Sequence, residues 1–342
     1  MVDFDSVLKF SGDKNSGAEY KNSLLKKNIL AFLARTEGAT IADLSGKLNI
    51  SIPTVTKLVA ELKEEGYLID HGKIETAGGR RPNVFGLSAD AFYFLGVDVR
   101  RRRLEFVLVD FKGNILQEKH NVPFVLKNTQ EALEQVCVET EQFISEIEIK
   151  KEEIIGIGFS LTGRVDPTNG YSYTYFNSSE IPLTDILQER LGVRTYIEND
   201  SRAMMYAEKI FGEVKEEKNV LFVNLGRGLG IGMMLDDKLY YGKTGFAGEF
   251  GHIPLFDNEV LCHCGKKGCL ETEASGISLE KMMVERMQAG ETSVLTPQWE
   301  AGKEILVYDI IRAANNDDVL AISLISEIAE KLGRGVGVLI NL

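Results

Sequence analysis

The chain has 342 residues, 44% hydrophobic and 26% charged, a composition of folded globular proteins at a length that suits two or three domains. No apolar run approaches the roughly 20 residues of a membrane span, and the opening MVDFDSVLKFSGDKN has no signal-peptide core. The net charge of −12 is unevenly spread, 12 Lys/Arg against 11 Asp/Glu in residues 1–86 and 27 against 40 beyond, so the larger part repels nucleic acid and any DNA contact belongs to the N-terminal part.

Residues 1–20 lack periodicity and are expected to form a loose arm. Residues 21–88 read as a small domain of three helices and a hairpin. Leu24, Leu25, Ile29, Leu30, Phe32 and Leu33 form the stripe of the first helix, which ends near Gly38. Thr40 suits the N-cap of a short second helix bearing Ile41, Leu44 and Leu48. The third, SIPTVTKLVAELKEEG, has Ser51 as cap, Pro53 in its first turn and Gly66 at its end, and it buries Val55, Leu58, Val59 and Leu62.

A tight turn between the second and third helices resembles a helix-turn-helix, in which the start of the last helix meets base edges in the major groove. Ser51, Thr54 and Lys57 are the candidates there. GYLIDHGKIETAGGRRPNVFGLS follows as a hairpin wing, whose Arg80 and Arg81 suit insertion into a minor groove. A protein-interaction module with an exposed basic loop fits the same pattern.

From residue 89 the period changes. YFLGVDV, LEFVLVD and NILQEKH read as successive strands, followed by a helix with Leu133, Val136, Cys137, Thr140, Ile144 and Ile147 on one face, then the buried strand IIGIGFS. The βββαβ order recurs with NVLFVNLG, GIGMMLD and KLYYG and later helices. Such duplication predicts two lobes around a cleft, as in the α/β actin-like (ribonuclease H-like) fold. The second copy stops at GRGVGVLINL without a strand after its helix, so the C-terminal end of 89–342 is expected to be truncated.

Between Gly245 and Ser275, Cys262, Cys264 and Cys269 stand as C-x-C-x4-C, with His252 ten residues upstream of the first. Three thiolates and an imidazole close a tetrahedral Zn2+ shell with no open position, so the ion would be structural. His263 competes with His252 for the fourth place, and three buried cysteines in a glycine-rich loop is the metal-free alternative. A cluster without paired partners (Cys137 stands alone in a helical pattern) points to a reducing, cytoplasmic setting.

GFAGEFGH followed by CHCGKKGCLE resembles the signature of the ROK family of repressors, open reading frames and sugar kinases. The resemblance implies a winged helix-turn-helix at the N-terminus, as ROK repressors have and ROK kinases lack. It also implies a sugar pocket built from Asn199, Asp200, Glu249, His252 and Glu271, with Asp200 at the kinases' general-base position and His252 facing metal and sugar with different nitrogens. Each of these residues has a plainer reading: Asp200 as a helix cap, Glu249 and Glu271 as surface charges, His252 as a zinc ligand alone. SLTGRVDPTNG resembles a cleft-lining turn of the family, and Asn177 in YFNSSEIPL is a further candidate contact.

Kinases of the family carry D-x-G-G-T-K and G-T-G-x-G at their phosphate turns; Asp98 is followed here by Val99 and Arg100 to Arg103, and the second turn reads Gly226-Arg227-Gly228-Leu229-Gly230. Bulky guanidiniums replace the glycines and hydroxyls that let backbone N–H groups reach phosphate. The expectation is a sugar-responsive DNA-binding repressor without catalytic activity, acting on operator DNA as a homodimer or higher oligomer. An active sugar kinase and a regulator controlled by a protein partner are the alternatives.

Overall fold

A computed structural model describes residues 17–73, 82–243 and 245–341, which fall into two compact units divided after Asp200. The first unit opens with α1 (Gly17–Leu33), β1 (Ala39–Thr40), α2 (Ile41–Leu48), α3 (Ile52–Glu64), β2 (Leu68–Lys73) and β3 (Asn83–Leu87). Residues 17–20, expected in the arm, are already helical. Thr40 caps α2 in a reciprocal box with Asp43, its hydroxyl accepting the Asp43 N–H while the Asp43 carboxylate accepts the Thr40 N–H. Asn49 ends that helix in the left-handed region at φ 54°, and the Ile50 N–H returns to the Ser45 carbonyl, which sets the turn into α3.

Ser51 stands at the N-cap of α3 without capping it: its hydroxyl meets that of Thr54 at 2.7 Å. Val55, Leu58, Val59 and Leu62 pack with Ile29, Leu30, Leu33 and Leu44, as the helical period requires. The sheet runs β1-β3-β2, all antiparallel, so β1 joins the hairpin as a third strand.

This small domain shares its core with the sheet that follows. Phe111 is buried in the same cluster, edge-on to Phe92 at 5.9 Å and stacked on Phe94 at 6.3 Å, while Tyr67 lies 5.4 Å from Phe92. That sheet contains β4 (Tyr93–Val99), β5 (Arg103–Asp110), β6 (Ile115–Pro123), β7 (Ile154–Leu161) and β10 (Thr195–Asn199) in the order β10-β7-β4-β5-β6. The first three form an antiparallel meander, and β7 and β10 join in parallel. Helix α4 (Gln130–Glu146) covers it with Leu133, Val136, Cys137 and Phe143. A two-stranded hairpin of β8 (Val165–Asp166) and β9 (Tyr171–Ser172), then α5 (Leu183–Leu191), separate β7 from β10.

The second unit carries most of α6 (Asp200–Phe211) and an antiparallel sheet of β11 (Val220–Leu225), β12 (Leu229–Leu235) and β13 (Lys238–Leu239). Gly232 lets α6 lie on β12, since a Cβ there would meet the Ser201 carbonyl and the Met205 side chain. The third strand is shorter than KLYYG suggests: the Tyr240 N–H still reaches the Met233 carbonyl, but the chain then leaves the ladder. Beyond the cysteine loop lie α7 (Leu270–Ala274), α8 (Gly276–Gln288), α9 (Thr296–Glu300), α10 (Val307–Ala314) and α11 (Val319–Ile340). Leu279, Met283, Ile310, Leu320, Leu324 and Ile328 form the core of that bundle. Among the described residues no helix is long and apolar enough to cross a membrane.

Candidate functional site

Helix α3 turns an outward face of Ile52, Pro53, Thr56, Lys57 and Ala60 to solvent. Lys57 is on it, 3.8 Å from Glu61. Thr54 is half-buried instead, on the flank where Glu61 and Glu65 hold the buried Lys26 of α1 at 3.0 and 2.7 Å. Ile52, Thr56 and Ala60 were not singled out from sequence, although removing the buried positions from the 3.6-residue period leaves them. Arg80 and Arg81 lie outside the described residues.

In the first unit, Asn199 ends β10 and Asp200 begins α6. The Asn199 amide donates to the Gly163 carbonyl at 3.0 Å and to the Asp200 carboxylate at 3.1 Å. The Gly163 turn is thereby tied to the end of the parallel sheet. Asn177 is clamped rather than free for a ligand: its amide donates to the Tyr173 carbonyl, and its carbonyl accepts from the Asn128 amide at 2.6 Å.

In the second unit one loop gathers the other candidates. A short helical turn, Phe250–His252, presents His252, and Phe250 is buried under it. The strand-like bridges Pro254–Cys269 and Leu261–Lys267 fold the cysteine segment back on itself. Gly268 sits at φ 67°, where a side chain would strike the Phe256 carbonyl, so the close crossing before Cys269 requires glycine. Cys262 to Lys266 closes as a knuckle, with the Cys262 N–H on the Lys266 carbonyl and the Gly265 N–H on the Cys262 carbonyl.

One donor atom each from His252, Cys262, Cys264 and Cys269 lies within 4.8 Å of the others. Cys264 and Cys269 have their sulfurs 3.6 Å apart, and His252 Nδ1 is 3.5 Å from Cys262 Sγ. A tetrahedron with bonds of ~2.3 Å to sulfur and ~2.0 Å to nitrogen sets such pairs at about 3.8 and 3.5 Å, so the donors fit a bound ion, whereas a disulfide needs sulfurs at ~2.0 Å. His252 fills the fourth place. His263 stands 3.9 Å from Cys262 Sγ and packs edge-on to His252, but its Nδ1 is 3.4 Å from the Glu271 carboxylate. Burial pushes the Cys269 thiol up to about 12 and raises that of Cys262, while at Cys264 burial is outweighed by hydrogen bonds that favour the thiolate, and its value falls.

The far nitrogen of His252 is 3.7 Å from Glu249. Glu271, in the first turn of α7, accepts the Leu229 N–H at 3.0 Å with its second oxygen. The loop therefore brings Glu249, His252 and Glu271 together and ties them to the start of β12.

Each of the two turns holds an arginine in an ion pair. Arg100 donates to Asp98 at 2.6 Å, which engages the one acidic residue retained there, and Arg103 reaches Glu105 at 2.5 Å. Arg227 faces Glu280 of α8 at 3.4 Å, and Glu280 accepts the Val307 N–H with its other oxygen.

The sequence profile of the ROK family matches residues 94–342. The chain belongs to the ROK family. A winged helix-turn-helix DNA-binding profile matches residues 23–69, over α1 to the start of β2. This ROK protein is 30% identical over 324 residues to the xylose repressor of Caldicellulosiruptor bescii, covering 93% of this chain and 79% of the relative. It is 29% identical over 292 residues to the Escherichia coli DNA-binding transcriptional dual regulator NagC, covering 84% and 70%. Among solved structures, a ROK family transcriptional regulator homologous to E. coli MLC superposes with a TM-score of 0.76 at 26% identity, over 93% of this chain and 81% of that one. A ROK glucokinase from Streptomyces griseus superposes with a TM-score of 0.61 at 28% identity, over 73% and 79%. The fold is thus an N-terminal winged helix-turn-helix followed by the actin-like ROK domain, as the periodicities suggested. The xylose repressor and the ROK transcriptional regulator each match 93% of this chain, and the ROK glucokinase matches 73%.

Proposed function

We propose that this protein is a sugar-responsive transcriptional repressor of the cytoplasm that binds operator DNA as a homodimer and has lost kinase activity. The observation that carries the reading is the pairing, in one chain, of a DNA-binding helix-turn-helix with a ROK domain whose two phosphate turns hold Arg100–Asp98 and Arg227–Glu280 ion pairs. Phosphoryl transfer depends on backbone N–H groups and a metal cradling the phosphates, and the arginines stand where the kinase motifs carry glycine or threonine.

Asn199, Asp200, Glu249, His252 and Glu271 are the proposed sugar contacts. Carboxylates and amides suit hydroxyl-rich ligands because they fix hydrogen bonds in set directions. His252, Cys262, Cys264 and Cys269 would hold a Zn2+ ion, whose closed shell would supply rigidity and no Lewis-acid step. With His252 and Cys269, the residue before α7, held as ligands, Glu249 and Glu271 would keep fixed bearings. Two winged helices of a dimer would meet half-sites about 34 Å apart or a multiple of that.

The test is a gel shift of the full chain on duplexes selected from a random pool, titrated with D-xylose, D-glucose and N-acetyl-D-glucosamine, with ATP turnover followed in parallel. We expect specific retardation relieved by one sugar and no sugar-dependent ADP release. Sugar-dependent ADP production that Asp200→Asn abolishes would establish the kinase reading instead. Retardation that no sugar alters would point to a protein partner as effector.

A further inference from the structure

The outward face of α3 is unusually apolar for one meant for water. Ile52, its first residue, is 57% exposed, and Thr56 and Ala60 follow at four-residue steps along the same exposed strip. A single exposed isoleucine needs no explanation by itself, but this one opens the helix that follows the turn, and the hydroxyls beside it are partly engaged within the helix. The Thr56 hydroxyl donates to the Ile52 carbonyl at 2.8 Å, and the Ser51 and Thr54 hydroxyls bond to each other at 2.7 Å. Ile52 is the large apolar side chain that the start of this helix exposes, and the Lys57 side chain is exposed beside it.

In the B-DNA major groove one base alone offers an apolar surface, the 5-methyl of thymine. The helix-turn-helix match over residues 23–69 places α3 as the groove-entering element, and its first turns are the part that reaches base edges. We propose that Ile52, supported by Thr56 and Ala60, reads thymine methyl groups in each operator half-site, with Lys57 binding phosphate or guanine alongside. This rests on the DNA-binding reading and assigns the specificity within it. Ser51 and Thr54, the hydroxyl-bearing candidates from sequence, bond to each other at the turn and keep acceptor positions for base edges or phosphate.

The experiment uses the full chain and duplexes it selects from a random pool. Thymines of the half-site are replaced one at a time by deoxyuridine, which keeps every hydrogen bond and removes only the methyl. At one or two positions the wild-type protein should lose about fourfold in affinity per methyl, roughly fifteenfold when both half-sites are changed. Ile52→Ala should bind the thymine duplex more weakly and no longer distinguish it from the uracil duplex, while Ile52→Val keeps part of the discrimination.

Since Ile52 lies on the surface, its variants are expected to fold, which unchanged low-salt binding to an unrelated duplex would check. Selected half-sites without thymine, deoxyuridine tolerated everywhere, or an Ile52→Ala protein as uracil-sensitive as wild type would each overturn the proposal and leave DNA binding standing. Enrichment of no duplex at all would overturn both.

Discussion

Cys264→Ser is expected to empty the metal site and, with it, to blunt the response to sugar. Cys264 is the exposed ligand of the four, so serine there leaves no cavity, and the loss comes from coordination alone. Structural zinc in small peptides is worth ~10–16 kcal/mol at neutral pH, more than local packing returns when one thiolate is removed. Two isolated bridges, the Cys262–Lys266 knuckle and the Leu255 and Phe256 N–H groups on the Gly268 carbonyl also hold the segment, so the variant is expected to lose the ion before it loses the fold of the loop. Zinc measured by atomic absorption should fall from about one ion per chain to a small fraction of that, and sugar affinity should weaken by roughly tenfold or more. Cys137→Ser is the control: that thiol is buried in α4 among core residues and pushed up to about 11 by burial, so its loss touches packing and leaves zinc in place. Zinc lost with sugar affinity unchanged would break the proposed link between metal and pocket.

Glu271→Gln should nearly abolish the sugar response while leaving fold, zinc and sugar-free DNA binding intact. Its carboxylate accepts the Leu229 N–H with one oxygen, a bond that an amide oxygen of the same shape can still accept. The other oxygen, beside His263, is the one proposed for a sugar hydroxyl, where charge makes the hydrogen bond stronger. Losing one charged acceptor costs ~1.5–3 kcal/mol, roughly 10- to 100-fold in sugar affinity. Calorimetry on the variant checks this; wild-type affinity would remove Glu271 from the pocket.

Local chemistry is what the sequence displayed well. The Thr40 cap, the buried stripe of α3, the meander into β7 and the C-x-C-x4-C spacing each depend on residues close together in the chain, where period and spacing determine the outcome. Contacts between distant residues were hidden. Arg227 meets Glu280, Asn128 clamps Asn177, and Phe111 joins the core of a domain that ends before it; no local rule pairs these. Ser51 shows the intermediate case: its position as N-cap was readable, but a hydroxyl three residues on competed for its bond. The choice between His252 and His263 likewise turns on distances the sequence does not give: both rings approach Cys262, but the donor atom of His252 clusters with all three sulfurs while His263 lies against Glu271.

Sugar and DNA binding are proposed to be coupled in one molecule. If so, linkage is reciprocal: the sugar that releases the operator must itself bind more weakly to the operator complex than to the free protein, by the same factor. Titration calorimetry of the inducing sugar into the protein, alone and saturated with a selected operator duplex, measures this directly. We expect affinities differing by about 5- to 150-fold, matching the loss of operator affinity at saturating sugar. Equal sugar affinities in the two states would mean that sugar and operator bind independently.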